Sequence, residues 1–198
     1  MNAFRKLILI ASFLTVVGPS FAAIDPASTE APMRRPEEAL TNEQIEWVLT
    51  HVDHAVLSTA DKTGTPYGVP ITPFYMDGKI YFHGNGVEGR KFKNMQQNPK
   101  VSLCYIANDK INEPKLDVDK VSVVVAGTVR QIKDFNEKRA LMVKLLKRHT
   151  PSMDSEKEVK QRELKIKSVV GVYEITPDKI SGKSNIKAEF FGKTSAHQ

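Results

Sequence analysis

Residues Val69–Asn98 read VPITPFYMDGKIYFHGNGVEGRKFKNMQQN. Val69–Met76 is rich in β-formers and predicts a strand. Asp77-Gly78 supplies two φ > 0 positions, the chemistry of a tight hairpin turn. Lys79–His83 predicts the returning strand, with Ile80 and Phe82 on one face and Tyr81 and His83 on the other. Gly84, Gly86 and Gly89 follow, then a helix over Arg90–Gln97 that Asn98-Pro99 stops. A Gly-rich turn, a helix N-terminus and the cations Arg90 and Lys91 together describe a cradle for a phosphate. The same residues also fit an ordinary hairpin followed by a solvated basic helix start, and spacing alone leaves both readings open.

Upstream, Arg5 and Lys6 precede an apolar run, Leu7–Val17, and Ser20-Phe21-Ala22 puts small residues where a leader peptidase cuts. The expectation is a signal peptide over 1–22, cleaved after Ala22, and a secreted, periplasmic mature protein. The run is shorter than the ~20 residues of a membrane span, so no stable membrane insertion is expected after cleavage. Residues 23–32 predict a flexible leader, 33–184 one folded domain and 185–198 a loose tail. Cleavage removes two cations and no acid, so the formal charge of +6 falls by two. The remaining basic residues are not interleaved with aromatics, and no nucleic-acid partner is expected.

Thr41 and Gln44 form a capping box, and Ile45, Val48, Leu49 and Val52 give the helix behind it one apolar face. Trp47 lies off that face, either as a partly covered surface ring or as a contact to a cofactor or a second subunit. His54–Thr59, Lys100–Ile106, Val121–Ile132 and Val169–Ile175 predict further strands. Gly127 marks a bulge or a close backbone approach. Ala107–Lys120 is polar and predicts a loop. Asp134 and Glu137 begin a helix whose basic end, Lys144, Lys147, Arg148 and His149, complements its dipole. Ser152–Lys167 predicts a solvated helix packed through Val159 and Leu164. The result is a mainly β chain with flanking helices, an antiparallel barrel of six strands.

Cys104 is the one cysteine, inside a strand, and is expected to be a buried apolar filler. No GxSxG turn, HExxH or CxxC occurs, so a nucleophilic triad and a metal site are not expected. His51 and His54 straddle a helix end and are assigned surface roles. His83 ends its strand beside the glycines. It is either a site residue or a strand-end imidazole held by a backbone carbonyl.

Met33-Arg34-Arg35-Pro36, PYGVPI at 66–71, DGKIYFHG at 77–84, GRK at 89–91, QNPKVSLCY at 97–105, the run SVVVAGTVRQIKDFNEKRALMVKLL at 122–146 and ISGK at 180–183 occur in that order. Together they resemble the Nim-type, 5-nitroimidazole reductase-like branch of the pyridoxamine 5′-phosphate oxidase-like proteins. The resemblance implies an FMN-binding split barrel and a homodimer with its cofactor between subunits. It implies an oxidoreductase passing electrons from a small-molecule donor to a small aromatic or nitro-type acceptor. His83 becomes the catalytic candidate. Pro70, Ile71, Thr72, His83, Gly84, Asn85, Arg90 and Lys91 become the cofactor-binding set. The alternative is a non-catalytic barrel that binds haem or another small molecule.

Overall fold

The computed structural model describes residues 32–85 and 88–194. The expected signal peptide, nearly all of the leader, and Gly86 lie outside the described residues.

Seven strands form one antiparallel sheet: β1 Ala55–Ala60, β2 Pro66–Ile71, β3 Phe74–Met76, β4 Lys79–Asn85, β5 Lys100–Asn112, β6 Asp117–Ile132 and β7 Val170–Ser184. Their order is β2-β1-β5-β6-β7-β4-β3. The expected count of six becomes seven because Val69–Met76 is not one strand. It breaks at Thr72-Pro73, where proline has no N–H to continue a ladder. Its two halves become the opposite ends of the sheet order. The β3–β4 turn is as expected, with φ of 53° at Asp77 and 75° at Gly78 and Met76 opposite Lys79.

Two other expectations are corrected. Ala107–Lys120 is not a loop: β5 and β6 continue as a paired ribbon from Asn108↔Val121 to Asn112↔Asp117, past a bulge at Ile106–Asn108. The ribbon runs beyond the core, so neither face needs apolar residues and the alternation that marks a strand is missing. Likewise β7 does not end at Ile175 but pairs with β6 up to Ser184. Pro177 fits because the register slips at Ala126–Gly127, a bulge where proline costs no ladder bond. A Cβ on Gly127 would stand 2.6 Å from the Thr176 carbonyl oxygen, the close approach its sequence position implied.

Helices cover the sheet on two sides. In α1, Asn42–His51, the capping box is present, with Gln44 N–H donating to Thr41 Oγ1 at 3.3 Å and Thr41 N–H to Gln44 Oε1 at 3.0 Å. Ile45, Val48 and Leu49 of α1 join Leu57, Ile80, Phe82, Leu103, Tyr105, Val123 and Val125 in the main core. A second core lies behind β4 and β7, where Tyr81 and Val172 meet α3, Phe135–His149, through Leu141, Met142 and Leu145. Two short helices, α4 Ser155–Gln161 and α5 Glu163–Ser168, close this layer. Val159 is buried there as expected, but Ile166 takes the place expected of Leu164, which is 83% exposed. The chain between α4 and α5 breaks at Arg162, and this rotates the buried face by two residues.

Residues 187–194, expected within a loose tail, form α6, Lys187–Thr194. Phe190 and Phe191 meet the Trp47 ring edge-on at 5.5 and 5.7 Å, and His51 stacks on it at 4.6 Å. Trp47 is thus covered by its own chain. Cys104 is not a core filler: Leu103 and Tyr105 take the inward positions, and alternation turns Cys104 to the outer face between Val56 and Val124. Among the described residues no helix is long and apolar enough to cross a membrane.

Candidate functional site

The candidate site is built on β4 and on α2, Arg90–Gln97. β4 is held firmly. It pairs with β7 over six positions, from Ile80↔Ile175 to Asn85↔Val170. Lys79 also reaches across to the buried carboxylate of Glu174 at 2.9 Å, which Arg130 binds from the other side at 2.7 Å. Burial pushes the Glu174 carboxyl up, but the hydrogen bonds from Arg130 and Lys79 outweigh it and hold the group below the usual carboxylate range. α2 lies against β1 and β2. Asn94 anchors it by donating to Thr59 Oγ1 at 3.0 Å in a buried position. Phe92 packs so closely on β4 that a Cβ at Gly84 would stand 2.5 Å from its ring. Gly84 therefore lets the helix close onto the strand.

This arrangement brings His83 and Lys91 together. His83 projects on the face opposite Ile80 and Phe82, and its Nδ1 is buried without a hydrogen-bond partner. Burial holds the imidazole below its ordinary value of 6.5, and the positive charges of His149 and Lys91 push in the same direction. Lys91 is partly buried, with Nζ 4.9 Å from the Phe92 ring centroid, and burial lowers its ammonium as well. Arg90 turns the other way, its guanidinium lying 4.8 Å over the Tyr67 ring of β2. Among the described residues neither cation is in ion-pair contact with a carboxylate, although the Arg90 charge helps hold the Asp61 carboxyl below its ordinary value. Gly89 caps α2 without a side-chain hydrogen bond. The Phe92 and Lys93 N–H groups donate to the Gly89 carbonyl at 2.9 and 3.2 Å, so among the described residues the N–H groups of Arg90 and Lys91 are the ones left for another acceptor.

The other expected residues are placed as follows. Asn85 is exposed at the end of β4. Pro70 is exposed on β2, an edge strand, opposite Val56. Ile71 belongs to the main core, so its side chain faces away from any ligand on the outer face. Thr72 leaves the strand, and its Oγ1 stands 3.5 Å from His54 Nδ1.

One nearby residue was read otherwise in the sequence. His149 was assigned to the dipole of α3. Of that basic end, Lys144 and Lys147 are exposed, but Arg148 and His149 fold back onto the α1–β1 connection. Arg148 donates to the Thr50 carbonyl at 2.6 Å and lies 3.0 Å from Asp53, while His149 Nδ1 is 3.7 Å from the same carboxylate. His149 Nε2 is buried, and the Pro73 backbone carbonyl lies against the imidazole and raises its proton affinity, against burial. The signal was present: Met142, Leu145 and His149 fall on one stripe of α3, so the ring points inward with them.

The expected FMN would need an anion site, and Arg90, Lys91 and the start of α2 could hold one. It also requires polar backbone and imidazole groups near its ring, and the β2 edge and His83 Nδ1 supply those. The residues present therefore fit the cofactor. An imidazole with a free nitrogen suits a haem iron equally well.

No curated protein matches the chain. Among solved structures, a candidate 5-nitroimidazole antibiotic resistance protein from Bacteroides thetaiotaomicron is 24% identical with a TM-score of 0.60, over 73% of this chain and 85% of that one. A flavocytochrome from Azotobacter vinelandii is 17% identical with a TM-score of 0.61, over 78% and 72%. An FAD- and haem-binding protein from Mycobacterium smegmatis is 16% identical with a TM-score of 0.59, over 74% and 73%. At these identities the likeness is one of fold, and the fold is the split barrel with flanking helices. The family model for pyridoxamine 5′-phosphate oxidase matches residues 41–183, which runs from the N-cap of α1 to the last residues of β7, and the chain belongs to that family.

Proposed function

We propose that this protein is an FMN-binding oxidoreductase of the Nim type, secreted and homodimeric, passing electrons from a small reduced donor to a small aromatic or nitro-type acceptor. The observation that carries the reading is the conjunction at the start of α2: two cations in ion-pair contact with no carboxylate among the described residues, a helix N-terminus without a side-chain cap, and the unpartnered buried nitrogen of His83. When bound, FMN supplies the electron chemistry. Lys91 and the backbone N–H groups of Arg90 and Lys91 bind the phosphate. Arg90 closes the other side from Tyr67. The backbone of Pro70, Ile71 and Thr72 orients the polar edge of the ring, and Asn85 lines the rim. His83 faces the acceptor and holds or releases a proton at its ring nitrogen.

Two observations support the assembly. Val56, Cys104 and Val124 lie side by side across three strands on the face away from the core, with Val56 39% and Val124 41% exposed. This apolar stripe continues to Ile106, also exposed, and a second copy of the chain would cover it. Val121, Val123 and Val125 of β6 point inward, which leaves the outer residues of that strand for the contact.

Haem is the second reading, favoured by the unpartnered imidazole and by the flavin- and haem-binding relatives of the same fold. The absorbance spectrum of the protein purified from its native compartment separates the two. The expected spectrum is the double band of an oxidised flavin. A Soret peak assigns haem instead, and a colourless protein that takes up neither removes both.

A further inference from the structure

Past Ile106 the β5–β6 pair leaves the core as a two-stranded ribbon, Asn108↔Val121 to Asn112↔Asp117, closed by one 3-10 turn at Glu113–Lys115. Register decides which face its apolar residues take. Val121, Val123 and Val125 are fully buried, so alternation puts Val118 on the outer face with Val124. Ile111 stands opposite Val118 and shares that face, because the bulge at Ile106–Asn108 adds the residue that turns it outward. Ile111 is 76% exposed, and Leu116, at the tip, is 96% exposed. Leu116 also holds a φ of 49°, a left-handed conformation that glycine or asparagine would adopt at less cost. No described residue covers this side chain.

The ribbon is nonetheless braced. Asn185, just past β7, accepts from the Lys120 N–H at 2.9 Å and donates to the Val118 carbonyl at 2.9 Å. Asn112 donates to the Asp119 carboxylate at 2.9 Å. Two-stranded ribbons are marginal in water, and one that holds bare aliphatic side chains in solvent on a fixed frame calls for a covering surface.

We propose that this ribbon is a dimerisation arm: Ile111, Leu116 and Val118 pack on a second copy of the chain, continuing the outer stripe of Val56, Cys104, Val124 and Ile106. The proposal rests on the homodimer reading and adds the segment that holds the dimer together. Three observations select a second copy. The apolar face of the arm is continuous with the stripe, on the same two strands. The stripe alone is four partly exposed side chains, whereas a stable interface buries about 800 Å² on each partner. The arm carries Asp109, Glu113, Asp117 and Asp119 against Lys110, Lys115 and Lys120, and this excess of acid disfavours an anionic lipid surface. A two-fold axis then uses every arm contact twice.

The test is sedimentation equilibrium over a dilution series of the full chain. Ile111→Ser combined with Leu116→Ser leaves the core and the α2 site untouched. It should keep the wild-type urea midpoint and raise the dimer Kd roughly a hundredfold, because two apolar contacts are lost on each side of the axis. Leu164→Ser removes a similarly exposed side chain from α5 and should leave the Kd unchanged. A Kd that ignores the loss of Ile111 and Leu116, in a chain that Val124→Glu still makes monomeric, overturns the arm and leaves the homodimer reading standing. A wild-type chain that is monomeric at every concentration overturns both. Wild-type binding to phosphatidylcholine–phosphatidylglycerol vesicles that the double variant loses assigns the arm to a lipid surface and overturns the proposal.

Discussion

His83 ties the chemistry of the site to the stability of the fold. Its imidazole is held below 6.5 by burial first and by the charges of His149 and Lys91 after it. A histidine that stays neutral when folded binds fewer protons than the unfolded chain. Stability is therefore complete above the unfolded value and is lost as pH falls from there through the folded one. The expected result is a urea midpoint that drops as pH falls below 6.5, less steeply in His83→Gln than in wild type. Parallel pH dependence in the two proteins would show that His83 titrates normally. The sequence identified this residue by position alone, at a strand end beside glycines. It did not reveal His149, because the two histidines are far apart in the chain and come near each other only when α3 packs on β4. The same limit applied to Ile71, which lies in the candidate strand but whose side chain alternation turns into the core.

At the scale of elements, local chemistry was legible and extent was not. The capping box at Thr41, the Asp77-Gly78 turn, the bulge at Gly127 and both ends of α2 follow from residues that act within a turn of chain. The β5–β6 ribbon and the second half of β7 do not, because partner strands supply their order and their own residues are mostly polar, without a regular apolar alternation. The α4–α5 pair shows the difference energetically. Ile166 is buried among Val159, Leu141 and Leu145, while Leu164 stands in solvent. Ile166→Ala should cost about 2–4 kcal/mol in urea unfolding. Leu164→Ala should change stability by less than about 0.5 kcal/mol. Equal losses would mean that the helix presents another face to the second core.

For the molecule as a whole, composition and strand rhythm indicated a β barrel with helices, while motif order indicated the family. The path by which β2 and β3 separate to opposite ends of the sheet order was hidden in a single Thr-Pro step. Assembly is testable through the outer stripe. Val124→Glu places a charge beside Cys104 without touching the core, so the folded chain should sediment as a monomer where wild type sediments as a dimer. An unchanged dimer would exclude this face. The central claim is that α2 holds a flavin by its phosphate, and a fluorescence titration of wild type and Lys91→Ala with FMN and with riboflavin tests it most directly. A charge-assisted contact of about 1.5–3 kcal/mol corresponds to roughly one to two decades of affinity. FMN should weaken by that amount in Lys91→Ala, and riboflavin, which has no phosphate, should bind both proteins alike. Equal FMN affinity in the two proteins, or equal losses for both ligands, would contradict the account.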